Sequence, residues 1–231
     1  MHTYTAVIPA RSGSKGIKNK NIMAYENQPL IVHSLRHALS SKLLDDYFLW
    51  TDSSDYFDIA NKYLELKDIG LRQKYIDDDA TDLMYLKDFL LRMNKLNLNI
   101  PDAIVLLRPT SPDRPKNLID ECIEEFDKSW ENYDSLKTVS KTKKTPYKMW
   151  FSNKEDDGFH YGKPLAEYLP GEDFFHSMPR QLLPDTFEHN GLIDIIKVDT
   201  IEKLNCVAGA KVLLKEVKGK WKDIDSIEDI G

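Results

Sequence analysis

Cysteine is almost missing. Cys122 and Cys206 are the only two in 231 residues, too few for a disulfide framework or a zinc site, which need more ligands. Long apolar runs are missing as well: none approaches the roughly 20 residues that span a bilayer. The opening Met1-His2-Thr3-Tyr4 has no basic n-region, and the apolar run after it is short for a signal peptide. Cations are not in excess, since 32 Lys and Arg face 38 Asp and Glu for a net charge of −6, and a general nucleic-acid binder would show a basic face. The familiar glycine fingerprints are also lacking. Gly16 is followed by Ile17 rather than Lys-Ser or Lys-Thr, which excludes the P-loop, and Gly13 and Gly16 supply only one of the spacings of G-x-G-x-x-G. These absences predict a reduced, cytoplasmic protein with neither membrane nor nucleic acid as its partner.

What is present is concentrated near the start. The apolar run from Thr5 stops at Pro9, and Arg11-Ser12-Gly13-Ser14-Lys15-Gly16-Ile17-Lys18-Asn19-Lys20-Asn21 follows with no acid before Glu26. A strand that ends in such a loop suits a phosphate: Gly13 and Gly16 can take positive φ, so that successive N–H groups converge on oxygens. Arg11, Lys15, Lys18 and Lys20 add charge-assisted donors. A solvated basic turn is the alternative. In an acidic chain, the local cluster points to a small anionic ligand.

The remaining pattern alternates strands and helices. Helices are expected at 30–44, 55–66, 83–96 and 116–130, and strands at 47–50, 103–107, 135–139 and 191–198, with a weak strand or loop at 69–72. Residues 204–210 read as a turn or short helix. His33 and His37 are spaced i, i+4 but have no third ligand nearby, so they read as surface or packing residues. This grammar predicts an α/β, Rossmann-like fold whose mostly parallel twisted sheet carries helices on both faces. Between Lys141 and Asp185 the helical periodicity gives way to aromatics, prolines and charges, too long a stretch for a structureless connection. A single domain over 1–231 is expected, with an inserted, β-rich arm at 141–189. Aromatic enrichment suits an arm that packs on a second subunit; a small ribbon in a monomer is the alternative. Near the end, Asp223 and Asp225 form a D-x-D that would share one face of a strand. Two adjacent carboxylates repel, and a Mg²⁺ ion or another divalent cation relieves that cost. Acidic cap chemistry is the competing explanation.

Four separated motifs carry a resemblance. The A-R-S-G-S-K-G-I-K-N-K-N loop, Leu107-Arg108-Pro109-Thr110-Ser111-Pro112-Asp113-Arg114, Arg180-Gln181-Leu182-Leu183-Pro184 with Asn190-Gly191, and Ile224 flanked by Asp223 and Asp225 resemble the acylneuraminate cytidylyltransferase (CMP-sialic acid synthetase) family. The resemblance implies transfer of CMP from CTP to a nine-carbon keto-sugar acid, with release of pyrophosphate, in a homodimer whose arm reaches a sugar site. It implies that Arg11, Ser12, Gly13, Ser14, Lys15, Gly16, Lys20 and Asn21 hold the nucleotide, with Arg72 and Thr81 at the cytosine. It assigns Arg108, Pro109, Thr110, Ser111, Lys148, Arg180, Gln181 and Asn190 to the acidic sugar, and Asp223 and Asp225 to the metal. Arg11, Lys20, Asp223 and Asp225 are the expected catalytic set. A guanidinium such as that of Arg180 suits a sugar carboxylate.

The chain departs from the sialic acid pattern at Arg108 (often glutamine), Glu188 (often arginine) and Asp194 (often aromatic). The last two exchanges predict added negative charge beside the sugar, hence a substrate with an amine or altered acyl groups. A Kdo-type or other sugar nucleotidyltransferase of the same architecture, and a silent nucleotide-binding regulatory module, are the rival functions.

Overall fold

In the computed structural model, the described residues are 2–13, 17–154, 160–169, 174–224 and 227–230. Ser14, Lys15, Gly16 and Asp225, all expected site residues, lie outside them.

The chain runs through β1 (Tyr4–Ala10), a two-residue hairpin of β2 (Ala24–Tyr25) and β3 (Gln28–Pro29), α1 (Leu30–Ser40), β4 (Asp46–Thr51), α2 (Ser54–Asn61) and α3 (Asp82–Lys95). Then come β5 (Ala103–Leu106), α4 (Leu118–Lys128), β6 (Ser135–Lys141), β7 (Trp150–Lys154), β8 (His160–Pro164), β9 (Phe187–Lys197), α5 (Val198–Glu202) and β10 (Val212–Glu216). Six strands form one sheet in the order β10-β6-β9-β5-β1-β4. β1 lies parallel to both β4 and β5, while β9 runs antiparallel to β5.

Strand periodicity explains the two-sided core. Tyr4, Ala6, Ile8 and Ala10 of β1 pack with Ile31 and Leu35 of α1 and Ile123 and Phe126 of α4. Val7 points the other way, into Phe89, Leu90 and Met93 of α3 and Ile201 of α5. β5 splits likewise, with Val105 on the first face and Ile104 and Leu106 on the second. Each buried aliphatic side chain of this kind contributes about 2 kcal/mol, so a one-residue slip of β5 would forfeit several. The expected α/β sheet with helices on both faces is what the chain forms.

Some boundaries move for local reasons. α1 stops at Ser40 rather than residue 44, because Ser41 Oγ accepts the N–H groups of Leu43 and Leu44, and Asp120 accepts those of Lys42 and Leu43. α2 stops at Asn61 rather than residue 66, and Asn61 Oδ1 takes the Leu66 N–H. The expected weak strand at 69–72 is a loop, tied to β4 by Arg72 N–H donating to Thr51 O at 2.8 Å.

The chain divides into two compact units, 1–138 with 190–231, and 139–189. The second contains the antiparallel β7–β8 pair and a small core of Tyr147, Ala166 and Phe175. Inside it, Lys148 Nζ donates to the carbonyls of His176 and Met178, and Arg180 and Gln181 sit in a 3₁₀ turn. Both cysteines are unpaired, and burial pushes the Cys122 thiol up to about 12. Among the described residues no helix is long and apolar enough to cross a membrane.

The histidine pair of α1 is satisfied by backbone: His33 Nε2 bonds Tyr25 O at 2.8 Å and His37 Nε2 bonds Pro112 O at 3.0 Å. Burial, then Arg114 and His33, hold the His37 imidazole below its ordinary value of 6.5; the Pro112 carbonyl and Asp113 oppose them. The unfolded chain therefore takes up the proton first. Stability present above pH 6.5 is lost as pH falls toward the folded-state value. Thermal melts between pH 7.5 and 5.5 should show a steeper loss for the unmodified chain than for His37→Gln. Parallel losses in the two would contradict this assignment.

Candidate active site

The loop after β1, the segment between α2 and α3 that Arg72 ties to Thr51 at the carboxyl end of β4, and the loop after β5 meet at one cleft of about 250 Å³, the end at which open α/β sheets bind ligands. From the first loop come Arg11, Lys20 and Asn21, from the second Arg72, and from the third Arg108, Pro109 and Thr110. Four cations from distant parts of the chain thus line one cavity.

At Gly13 the first loop departs from the glycine-based expectation, which for Gly16 falls outside the described residues. Gly13 has open space around it and no positive φ; the left-handed turn is supplied by Asn19 at φ 59°. Asn19 has a short polar side chain that tolerates this region. Ser12 donates from both its N–H (2.8 Å) and its hydroxyl (3.0 Å) to Asp52 at the end of β4. Those two donors fasten the loop, and neither Ser12 nor Gly13 lines the cleft. Asn21 is buried and its side-chain amide donates to Arg11 O at 3.0 Å, setting the backbone from which Arg11 projects.

Two guanidinium nitrogens, Arg11 Nη1 and Arg72 Nε, are buried and have no hydrogen-bond partner among the described residues. An unmet buried donor costs about 1–3 kcal/mol, so such groups mark a place that a ligand's acceptors would complete. Arg72 is itself buried, 5.4 Å above the Tyr85 ring, and burial followed by the neighbouring Arg11 lowers its pKa while Asp52 raises it.

Acids line the same cleft. Asp77, Asp78 and Asp82 are among the lining residues; Asp78 pairs with Arg11, and Asp82 accepts from Arg108 Nη2 at 2.6 Å and from Tyr85 at 2.6 Å. Thr81, expected at the cytosine, caps α3 by accepting the Met84 N–H and is not part of the cleft lining. Ser111 is also outside the lining; its hydroxyl bonds Gly191 O at 3.3 Å, while Asn190 Oδ1 accepts Leu192 N–H at 3.2 Å. Lys148, Arg180 and Gln181 belong to the 139–189 unit.

A residue not singled out beforehand holds the third loop. Arg114 is buried and donates to Leu192 O at 2.6 Å, to Ser34 Oγ at 2.9 Å and to Arg108 O. The motif gave its position, but its three partners come from α1, the loop itself and β9.

The tail reaches this loop too. Ile224 is buried with Tyr25 and Leu30, and its N–H donates to Thr110 O at 2.8 Å. Asp223 is thereby fixed, exposed, next to a residue that lines the cleft. The strand expected around Asp223 does not form. Residues 220–224 have no regular structure; the Ile224 N–H bond to Thr110 and the buried Ile224 side chain tie them to the fold. Among the described residues no three His, Cys, Asp or Glu side chains gather to hold a metal. Mg²⁺ commonly uses only one or two carboxylates together with phosphate oxygens, and the hard, exposed Asp223 carboxylate fits that use.

Residues 5–150 match the model of the family described as Cytidylyltransferase. An N-acylneuraminate cytidylyltransferase of Streptococcus agalactiae is 33% identical over 198 residues, which cover 84% of this chain and 43% of the relative. A CMP-N,N'-diacetyllegionaminic acid synthase of Legionella pneumophila is 33% identical over 120 residues, or 52% of this chain and 51% of the relative. An N-acylneuraminate cytidylyltransferase of Escherichia coli is 32% identical over 140 residues, covering 60% and 32%. The chain thus matches between 32% and 51% of the length of these relatives. A solved CMP:2-keto-3-deoxy-manno-octonic acid synthetase, in complex with CTP, superposes with a TM-score of 0.68 over 97% of this chain and 93% of its own, at 14% identity. That likeness is one of fold. The family match over residues 5–150, more than half of the sequence, carries the conclusion: the chain belongs to the cytidylyltransferase family.

Proposed function

We propose that this protein transfers CMP from CTP to a nine-carbon keto-sugar acid, giving the CMP-sugar and pyrophosphate. The observation that carries the reading is the pair of buried guanidinium nitrogens of Arg11 and Arg72, which have no partner among the described residues, in a cleft bordered by the tail that holds Asp223. The relatives, N-acylneuraminate and N,N'-diacetyllegionaminic acid enzymes, support the nine-carbon class.

In this reaction the sugar's anomeric oxygen bonds to the α-phosphorus, the bond from that phosphorus to the bridging oxygen breaks, and pyrophosphate leaves with the bonding pair. The hydroxyl proton passes to solvent. Such transfer depends on positioning and charge stabilisation more than on covalent help. Arg11 and Lys20 hold phosphate oxygens and meet the charge that develops on the leaving group. Arg72, stacked on Tyr85, holds the nucleotide from the second loop. Arg108, Pro109 and Thr110 face the sugar. Asp223 is the described residue that would hold a divalent cation, joined by Asp225 from outside the described residues. When bound, that ion supplies charge neutralisation at the phosphates and lowers the pKa of a coordinated hydroxyl.

The arm's exposed Trp150, Phe151, Tyr168 and Phe174 support a homodimer formed through this unit. Two unpaired thiols support a cytoplasmic setting. The test is a pyrophosphate-release panel with CTP, Mg²⁺ and individual nine-carbon and eight-carbon keto-sugar acids, read by product mass. A CMP-sugar with one pyrophosphate per turnover is expected for a nine-carbon acid. Turnover confined to the eight-carbon acid, or none with any sugar, would overturn the proposal.

A further inference from the structure

Two of the three departures from the sialic acid pattern, Arg108 and Asp194, are a single ion-paired unit in the fold. Arg108 Nη1 donates to Asp194 at 2.8 Å, and Lys137 Nζ stands 3.3 Å from the same carboxylate oxygen. Arg108 Nη2 is committed to Asp82, the first residue of α3. Two cations therefore meet two anions. The expectation that Asp194 adds negative charge beside the sugar is corrected: Asp194 is only 1% exposed, and its charge is spent on Arg108 and Lys137.

The grip on Arg108 comes from several elements at once. In the β5–β9 ladder, Asp194 is the register partner of Leu106, two residues before Arg108. Lys137 comes from β6, the neighbour of β9 on its other side, and Asp82 from the opening of α3. The backbone of Arg108 is pinned too, since its carbonyl accepts from Ser34 at 3.2 Å and from Arg114. Yet the Arg108 side chain keeps 25% exposure and lines the cleft. A guanidinium has five N–H donors and no acceptor. Its two carboxylate partners are already engaged, so what it can offer a ligand is donors alone.

We propose that Asp194 and Lys137 are positioning residues that aim the Arg108 guanidinium into the cleft, where it selects an acceptor sugar bearing a carbonyl-containing acyl group over the free-amine form of the same sugar. The inference rests on the function proposed above. An acyl oxygen accepts from Arg108, whereas an ammonium meets a cation whose counter-charges are spent, a repulsive element of the kind that creates specificity.

The test compares CTP-dependent pyrophosphate release with N-acylated nine-carbon keto acids and with their de-N-acylated counterparts. Asp194→Asn should raise KM for the acylated sugar about tenfold, with KM for CTP changed by less than about threefold, because it disturbs a directed hydrogen-bonding group rather than the nucleotide cradle. In an Arg108→Gln background the same Asp194→Asn change should have little further effect on that KM, the non-additivity of residues that act together. The double variant removes one charge of each sign and so keeps the unit balanced if Asp194→Asn alone misfolds. It should lower the preference for acyl over amine by about tenfold. A preference unchanged in the double variant, a full additive effect in the Arg108→Gln background, or equal losses for sugar and CTP would overturn the inference. Failure of the unmodified chain to release pyrophosphate with any sugar would instead overturn the reaction itself, and the inference with it.

Discussion

Arg11→Ala lowers the turnover of CTP-dependent pyrophosphate release by about 100-fold or more, the scale for removing a group that stabilises developing charge. The size follows from what Arg11 does in the cleft. One terminal nitrogen pairs with Asp78, while the other is buried and has no partner among the described residues. A triphosphate completes the second nitrogen and competes with Asp78 for the first. The Arg11–Asp78 pair is partly exposed, at 28% and 25%, so giving it up costs little, whereas pyrophosphate leaving without Arg11 loses a preorganised cation. Arg11→Lys should recover part of the rate by restoring charge without the fork. Steady-state kinetics check this. Turnover of the alanine variant within a few-fold of the unmodified chain would contradict the role.

Arg114→Met destabilises the fold by about 2–3 kcal/mol, measured by denaturant unfolding. Two effects oppose each other here. Methionine removes the cost of burying a cation whose pKa is pushed down by burial and by Arg108 and drawn back by Asp223, and replacing a buried charge by an apolar chain can be neutral. Against this, Arg114 meets three acceptors at once. Arg108 O retains its bond from Ser34, but Leu192 O loses its side-chain donor. One orphaned buried acceptor costs about 1–3 kcal/mol, and the lost stitch between α1, the third loop and β9 adds to it. The lost hydrogen bonds win. Arg114→Lys should rescue only part, since a point charge cannot reach three acceptors as a planar fork does. A change below about 0.5 kcal/mol in the methionine variant, the ordinary scatter of surface substitutions, would show that the loop is held by other means.

Where the signal was local, the sequence revealed it. The apolar alternation of β1, the unbroken Ala103–Leu106 run and the cation-rich loop after Pro9 each declare themselves within a few residues, and they supply Arg11, Lys20 and Asn21 to the cleft. Long-range partners were hidden. Asp120 ends α1 from nearly 80 positions away, and Asp52 fastens Ser12 from 40 away. Neither distance leaves a trace in local periodicity. The apolar start of α5 read as the continuation of a strand, so the helix at Val198–Glu202 went unseen and a turn or short helix was expected six residues later. Asp194 was the costliest misreading: a lone acid at a sugar position suggests negative charge, until Arg108 and Lys137 appear on either side of it. The D-x-D spacing had the same weakness, because alternation has meaning only in a strand and residues 220–224 have no regular structure.

The central claim is that the basic loop at the start of the chain and the acidic tail at its end serve one nucleotide triphosphate. Calorimetric titration of CTP into the unmodified chain, Arg11→Ala and Asp223→Ala, with and without Mg²⁺, tests it most directly. Mg²⁺ should tighten CTP binding to the unmodified chain, Arg11→Ala should weaken binding under both conditions, and Asp223→Ala should lose the Mg²⁺-dependent gain. An undiminished gain in Asp223→Ala, or unchanged affinity in Arg11→Ala, would mean that the two ends of the chain do not share a ligand.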